Sequence, residues 1–298
     1  MLLLSAAPGS PNLADLARRG RILGASWSSS ATGRFAFESA FIDPDTGRQR
    51  SWANWLLADR LMIGQYPHCQ PAPGPSAGDA EEHLQRVLDA GITCFACLQA
   101  ELPPQDEEAA WPHEGGVQLP SPEDRKRWPD PFIRYAPLAD AIASETEGRT
   151  LRYLHYPIAD LAVPPLPTLL DALDGLLGHF EGGGNAVCEL SSALRFPINA
   201  LARLPSSACT HPHARFWPRA DLHCWGGRGR AGVVGGCFLA LLRPELEASA
   251  VLEAVQTAYD SRAGADAMAT QLKRSPQTEA QRSFVRSFVS AARAAQSE

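Results

Sequence analysis

Leu222-His223-Cys224-Trp225-Gly226-Gly227-Arg228-Gly229-Arg230-Ala231-Gly232 sets a cysteine, a glycine-rich turn and an arginine directly before an apolar run, Val233 to Leu242. Five residues lie between Cys224 and Arg230. A loop that short bends back on itself, and the backbone N–H groups of residues 225–230 converge on one point. Such a nest at a helix N-terminus binds a tetrahedral oxyanion, because unpaired N–H groups and the helix dipole both favour negative charge. The same field favours thiolate over thiol at Cys224. Arg230 adds a planar fork suited to two phosphate oxygens. Trp225, Gly226, Gly227, Arg228, Gly229 and Arg230 therefore read as a phosphate-binding loop. A thiolate, an anion cradle and an arginine are the parts needed for attack of sulfur on a phosphate ester. The plain alternative is a buried cysteine in a turn that happens to precede an arginine.

Upstream of the loop, Asn185-Ala186-Val187-Cys188 begins a short buried strand and Leu222-His223-Cys224 ends one. Between them, residues 189–221 hold Pro197, Pro205, Pro212 and Pro218 and no sustained period. A structureless stretch of that length is foreign to a compact domain. It reads as an insertion, or as retained intron sequence, that interrupts the strand aiming Cys224.

Further out, helical and strand patterns alternate. Residues 51–57 read as a short helix or turn, 60–65 as a first strand, 79–90 as a helix closed by Gly91, and 92–98 as a buried strand. Residues 101–148 are polar and rich in prolines and acids, and read as a long excursion with little regular structure. A strand follows over 151–156 and an amphipathic helix over 166–180. Helices are predicted over 231–242, 245–262 and 278–294. The alternation implies an α/β domain: a mostly parallel sheet with helices on both faces. Residues 1–50 form an N-terminal extension ahead of a domain spanning 51–298. Trp27, Phe35, Phe37 and Phe41 imply that part of the extension packs on the domain. Cys94 and Cys97 are three apart on a strand, so they point to opposite faces and neither bridge nor share a metal.

The chain has 298 residues, 45% apolar and 20% charged, with a net charge of −6. That balance argues against nucleic acid as the main partner. Seven cysteines in no framework spacing suit a reducing compartment, hence the cytoplasm. Arg18, Arg19, Arg21 and Arg34 among many serines leave room for a transit peptide. No apolar run is long enough for a membrane span. No cofactor or metal is implied, and the sequence is silent on oligomeric state.

The loop resembles the HCxxGxxR signature of the cysteine-dependent protein tyrosine and dual-specificity phosphatases, through His223, Cys224, Gly227 and Arg230. The resemblance implies a tyrosine-phosphatase-like fold and hydrolysis of phosphotyrosine or mixed phosphoresidues of proteins through a phosphocysteine. It gives Cys224 the role of nucleophile and Arg230 that of oxyanion holder, with His223 in support. It also demands a carboxylic acid that protonates the leaving oxygen. Asp160, in His155-Tyr156-Pro157-Ile158-Ala159-Asp160, matches the strand-Pro-Ile-x-Asp segment of the dual-specificity branch. Asp130, in Trp128-Pro129-Asp130, spells the acid motif of the tyrosine-specific branch. Asp160 is preferred, since it follows a strand and sits where α/β sites gather. Gln277-Thr278-x-x-Gln281-x-x-Phe284 resembles the glutamine loop that orients the hydrolytic water. The bland reading of Ser275, Thr278 and Gln281 is a helix cap.

Two departures matter. Ala231 stands where the family usually has Ser or Thr, although the phosphatase-of-regenerating-liver branch also carries Ala. Arg228 adds a cation where the phosphoinositide-phosphatase branch has a basic residue. The rival readings are a phosphate-binding protein with weak or no catalysis, and a phosphatase of inositol phosphates or phosphoinositides.

Overall fold

A computed structural model of the chain describes residues 11–27, 53–68, 77–113, 116–119, 121–127, 131–147, 149–182, 218–261 and 273–296. Its strands are β1 (Ala53–Leu57), β2 (Leu61–Gly64), β3 (Cys94–Gln99), β4 (Arg152–Ile158) and β5 (Ala220–His223). They form a sheet in the order β1-β2-β5-β3-β4. β5 lies between β2 and β3 and is parallel to both, and β4 is parallel to β3. β1 alone runs antiparallel, folded back on β2. The middle strands β2, β3 and β5 are buried at every residue. Both their faces are covered, which is why they read as unbroken apolar runs.

The helices are α1 (Leu13–Ser26), α2 (Ala77–Asp89), α3 (Pro122–Arg127), α4 (Ala136–Glu147), α5 (Leu166–Gly182), α6 (Arg230–Leu242), α7 (Ala248–Asp260) and α8 (Glu279–Gln296). They divide between two cores, one on each face of the sheet. On one face Cys94, Ala96 and Leu98 of β3 meet Leu173 and Leu177 of α5, Val234 and Phe238 of α6, Val255 of α7 and Val285 of α8. On the other, Phe95 meets Leu84 and Val87 of α2 and Ala139 of α4. The α/β architecture with helices on both faces is thus the one implied by the alternation of elements. Cys94 lies in the first core, where burial pushes its thiol up to about 12. Cys97 belongs to the opposite face, beside His223. The two cysteines diverge as a strand requires.

Several expectations are corrected. Residues 53–57 are a strand, not a helix or turn: Ala53 and Trp55 enter one core and Leu56 the other. The two-residue period was hidden because a bulge shifts the register between Trp55 and Leu57. The stretch 101–148 carries more order than its composition suggests. It holds a 3₁₀ turn (Glu108–Ala110), α3, α4 and an antiparallel bridge between Val117 and Phe132. The buried face of α4 is built from Ala136, Ala139 and Ala143. Small residues give a faint periodic signal and acquire helix structure from packing on α2.

Within residues 1–50, α1 packs on the domain with Trp27 against the first core, as expected of part of the extension, while Phe35, Phe37 and Phe41 lie outside the described residues. Asn12 caps α1 by accepting the Asp15 N–H at 3.0 Å. Leu16, Ala17, Gly20 and Leu23 are buried against the first core. Gly20 is required by close approach, because a Cβ there would sit 2.6 Å from the Cβ of Leu241. Arg19 pairs with Asp174 and Glu181 of α5.

The downstream bound of the expected insertion is also corrected. β5 begins at Ala220, so residues 220 and 221 are strand rather than insertion. The chain immediately ahead of Cys224 supplies a continuous strand with parallel neighbours on both sides. Residues 183–217, which include Asn185–Cys188 and most of the proposed insertion, lie outside the described residues.

Candidate active site

β5 ends at His223, at the middle of the sheet, and the next residue is Cys224. A strand held on both sides is the most rigid place from which to present a nucleophile. Cys224 is 3% exposed, and its N–H donates to the Gly64 carbonyl at 3.4 Å. Trp225 accepts from the Tyr66 N–H at 3.2 Å. The chain then turns through Gly227, whose φ of +61° is a left-handed conformation suited to glycine. α6 starts at Arg230. The loop is thus a bridge between the C-terminal end of a central strand and the N-terminus of a buried helix, the geometry that collects backbone N–H groups for an anion.

Arg230 is 1% exposed. Nη1 donates to Glu101 Oε2 at 2.6 Å and to the Ile158 carbonyl at 3.0 Å. Nη2 lies 3.1 Å from Asp160 Oδ1. That pair is close enough for Coulomb attraction but does not have hydrogen-bond geometry, and Nε and Nη2 form no hydrogen bond among the described residues. One edge of the guanidinium is therefore anchored and the other keeps its donors, as a bidentate phosphate would need. Burial works against the charge of Arg230, but Cys224, Glu101 and Asp160 outweigh it and raise its pKa.

The structure thus brings Asp160 to Arg230. It follows β4 by two residues and is 46% exposed on the side chain, so it can reach both solvent and loop. Asp130 lies outside the described residues. Glu101 was missed by sequence reading. Its one signal is position: an acid two residues past the C-terminal end of a parallel strand.

The segment before α8 closes the site from the side. Thr278 and Gln281 make a capping box: the Gln281 N–H donates to Thr278 Oγ1 at 3.2 Å, and Gln281 Oε1 accepts the N–H groups of Gln277 and Thr278, each at 3.1 Å. The same side chain does more. Gln281 Nε2 donates to the Ala162 carbonyl at 3.0 Å, tying α8 to the loop that carries Asp160. A Cβ on Gly229 would stand 3.2 Å from Gln281 and 3.4 Å from Gln277 Oε1. Both glutamines therefore lie against the phosphate-binding loop. Ser275 is not a cap, contrary to the bland reading. It is fully buried and donates from Oγ to the Arg228 carbonyl at 2.9 Å, pinning the loop. Gly232 leaves room for it, since a Cβ there would come to 2.5 Å from Ser275 Oγ.

Under the loop, His223 is fully buried. Nδ1 is 3.0 Å from Asp221 Oδ2 and Nε2 is 3.1 Å from Tyr135 Oη. Burial disfavours the imidazolium, but the bonds to Asp221 and Cys97 prevail and raise its pKa to about 10. Neither Asp221 nor Tyr135 was singled out in the sequence. The aromatic rings of Tyr66, Phe95 and Tyr135 enclose the imidazole.

Among the described residues no cluster of His, Cys, Asp and Glu could hold a metal, and no helix is long and apolar enough to cross a membrane. No family model and no curated protein matches the chain. Among solved structures it is similar to a kinase associated phosphatase whose catalytic-site cysteine is substituted by serine. The identity is 13%, over 82% of this chain and 94% of that one, with a TM-score of 0.40. It is also similar to Tk-PTP in its active form, at 17% identity over 78% of this chain and 92% of that one, with a TM-score of 0.38.

Proposed function

We propose that the chain is a phosphomonoesterase acting on phosphotyrosine or mixed phosphoresidues of proteins through a phosphocysteine. The observation that carries this reading is the arrangement of Cys224 and Arg230 at the two ends of a glycine loop, with Asp160 against the open edge of the arginine. Cys224 attacks phosphorus as a thiolate, forming the S–P bond while the P–O bond to the leaving group breaks. Asp160 gives its proton to the departing oxygen. Water then attacks the phosphocysteine, Asp160 takes its proton, the S–P bond breaks and inorganic phosphate leaves. Arg230 and the loop N–H groups hold the equatorial oxygens, where charge develops. Gln277, beside Gly229, is placed to orient the water.

Before substrate arrives Asp160 lies over Nη2 of Arg230. A phosphate takes that edge only as Asp160 moves off it, so binding itself frees the acid. The rival reading, a phosphate-binding protein without catalysis, draws on Ala231. The test is hydrolysis of para-nitrophenyl phosphate by the wild type and by Cys224→Ser. Turnover by the wild type that the variant lacks supports an enzyme; phosphate binding with no turnover in either supports the binding protein. A panel of phosphopeptides against inositol phosphates then separates protein substrates from the polyphosphate class that Arg228 would suit.

A further inference from the structure

Beneath the candidate loop, on the opposite face of β5 from Cys224, a carboxylate is buried with an oxygen that has no partner. Asp221 is 1% exposed, and its Oδ1 makes no hydrogen bond among the described residues. Its Oδ2 meets His223 Nδ1 at 3.0 Å. Space for it is built in: a Cβ on Gly64 of β2 would sit 3.0 Å from Asp221 Oδ1. The groups facing the imidazole are Asp221 on its own strand, Cys97 on β3, Tyr66 after β2 and Tyr135 before α4. Tyr153 of β4 stands behind Tyr135. Asp221 is the carboxylate among them. Burial holds the Tyr135 hydroxyl neutral by pushing its pKa well up.

A buried carboxylate beside a neutral imidazole would leave a bare negative charge directly under a loop built to attract anions. That arrangement is costly, because an uncompensated buried charge is destabilising and would repel both thiolate and phosphate. With His223 as imidazolium the pair is neutral, both ring N–H groups have acceptors, and the positive member is the one next to Cys224. We propose that Asp221 is a positioning residue that holds His223 as a cation beneath the phosphate-binding loop, so that the loop's anion affinity depends on a carboxylate that never touches the substrate. The activity half of this proposal rests on the function proposed above; the charge state of His223 does not.

Two measurements test it. The first needs no catalysis. The imidazole nitrogens of the wild-type protein, labelled with ¹⁵N, should show the resonance that is missing from His223→Gln as a doubly protonated ring, unchanged from pH 6 to pH 8. A neutral ring at pH 8 overturns the proposal. The second is the pH profile of Asp221→Asn. Without its carboxylate the buried ring becomes neutral near pH 8 and regains its proton only in acid. kcat/KM for an aryl phosphate should fall about tenfold or more below wild type at pH 8, and the gap should narrow steadily towards pH 5. A deficit equal at every pH is what a merely structural role produces, and it overturns the proposal. If the wild type shows no turnover, the fault lies with the proposed function, and the ring resonance still decides the charge.

Discussion

If Cys224 forms a phosphocysteine as proposed, Ala231 is the residue on which turnover depends. A hydroxyl after the arginine would donate to the sulfur as the phosphocysteine breaks down, and an alanine donates nothing. One such bond is worth about 1–3 kcal/mol. Wild-type protein should therefore release aryl alcohol in a burst, followed by slow turnover. Ala231→Ser should shrink the burst and speed steady turnover by about tenfold, as stopped-flow assays would record. Asp160 makes a separate prediction. Asp160→Asn should cost about 10²–10⁴ in kcat, and the loss should be larger for alkyl than for para-nitrophenyl phosphate, whose leaving group needs less help. Cys224 and Arg230 were legible as the two ends of one loop because five residues separate them, and Asp160 from its place after a strand. Glu101 was not: it anchors Arg230 only because β3 and α6 are brought together across 129 residues. Asp221 was hidden for a related reason, since an aspartate inside an apolar strand makes sense only once its histidine partner is known to be buried on the same face.

At the scale of elements, the capping box of α8 is also the clamp on the acid loop. Gln281 closes the helix N-terminus, holds the Ala162 carbonyl and lies beside Gly229, so one side chain joins three segments. Gln281→Ala should cost about 1 kcal/mol of stability as a lost cap, measurable by urea denaturation. kcat should drop by more than that stability loss explains, because the loop bearing Asp160 is released. Gln281→Glu keeps an acceptor for the cap but loses the donor to Ala162, so it should retain most of the stability and little of the rate. Thr278 and Gln281 were readable as a cap from local sequence. Their reach to Ala162 was not, because sequence spacing says nothing about what lies across a groove. The same divide runs through the fold. Strands β2 and β3 and helices α2, α5 and α6 announce themselves by apolar runs or by period. α1 and α4 bury glycine and alanine, and β1 carries a bulge, so their order comes from tertiary packing that no local pattern displays.

Across the whole molecule, half-buried His179 and buried His223 lie on opposite sides of the ionisation balance, and each shapes how stability follows pH. His179 of α5 is kept neutral: burial and then Arg152 lower its pKa from 6.5 to about 4. Below pH 6.5 the unfolded chain takes up a proton that the folded chain refuses, so stability falls as pH drops from 6.5 towards 4. His223 behaves in the reverse sense. Its folded pKa of about 10 lies above 6.5, so its stabilisation is fully present below pH 6.5 and is lost as pH rises towards 10. Each group imposes a slope of up to about 1.4 kcal/mol per pH unit within its window. Their combined contribution therefore peaks near pH 6.5 and declines on both sides. Urea denaturation across pH 4.5–9.5 should trace that peak. His179→Gln should flatten the acid limb and leave the alkaline one. Asp221→Asn should flatten the alkaline limb, because a His223 without its carboxylate carries no charge to lose. If Asp221→Asn lowers stability equally at every pH, the alkaline limb does not belong to His223, and the charge pair beneath the loop is not what couples fold to pH.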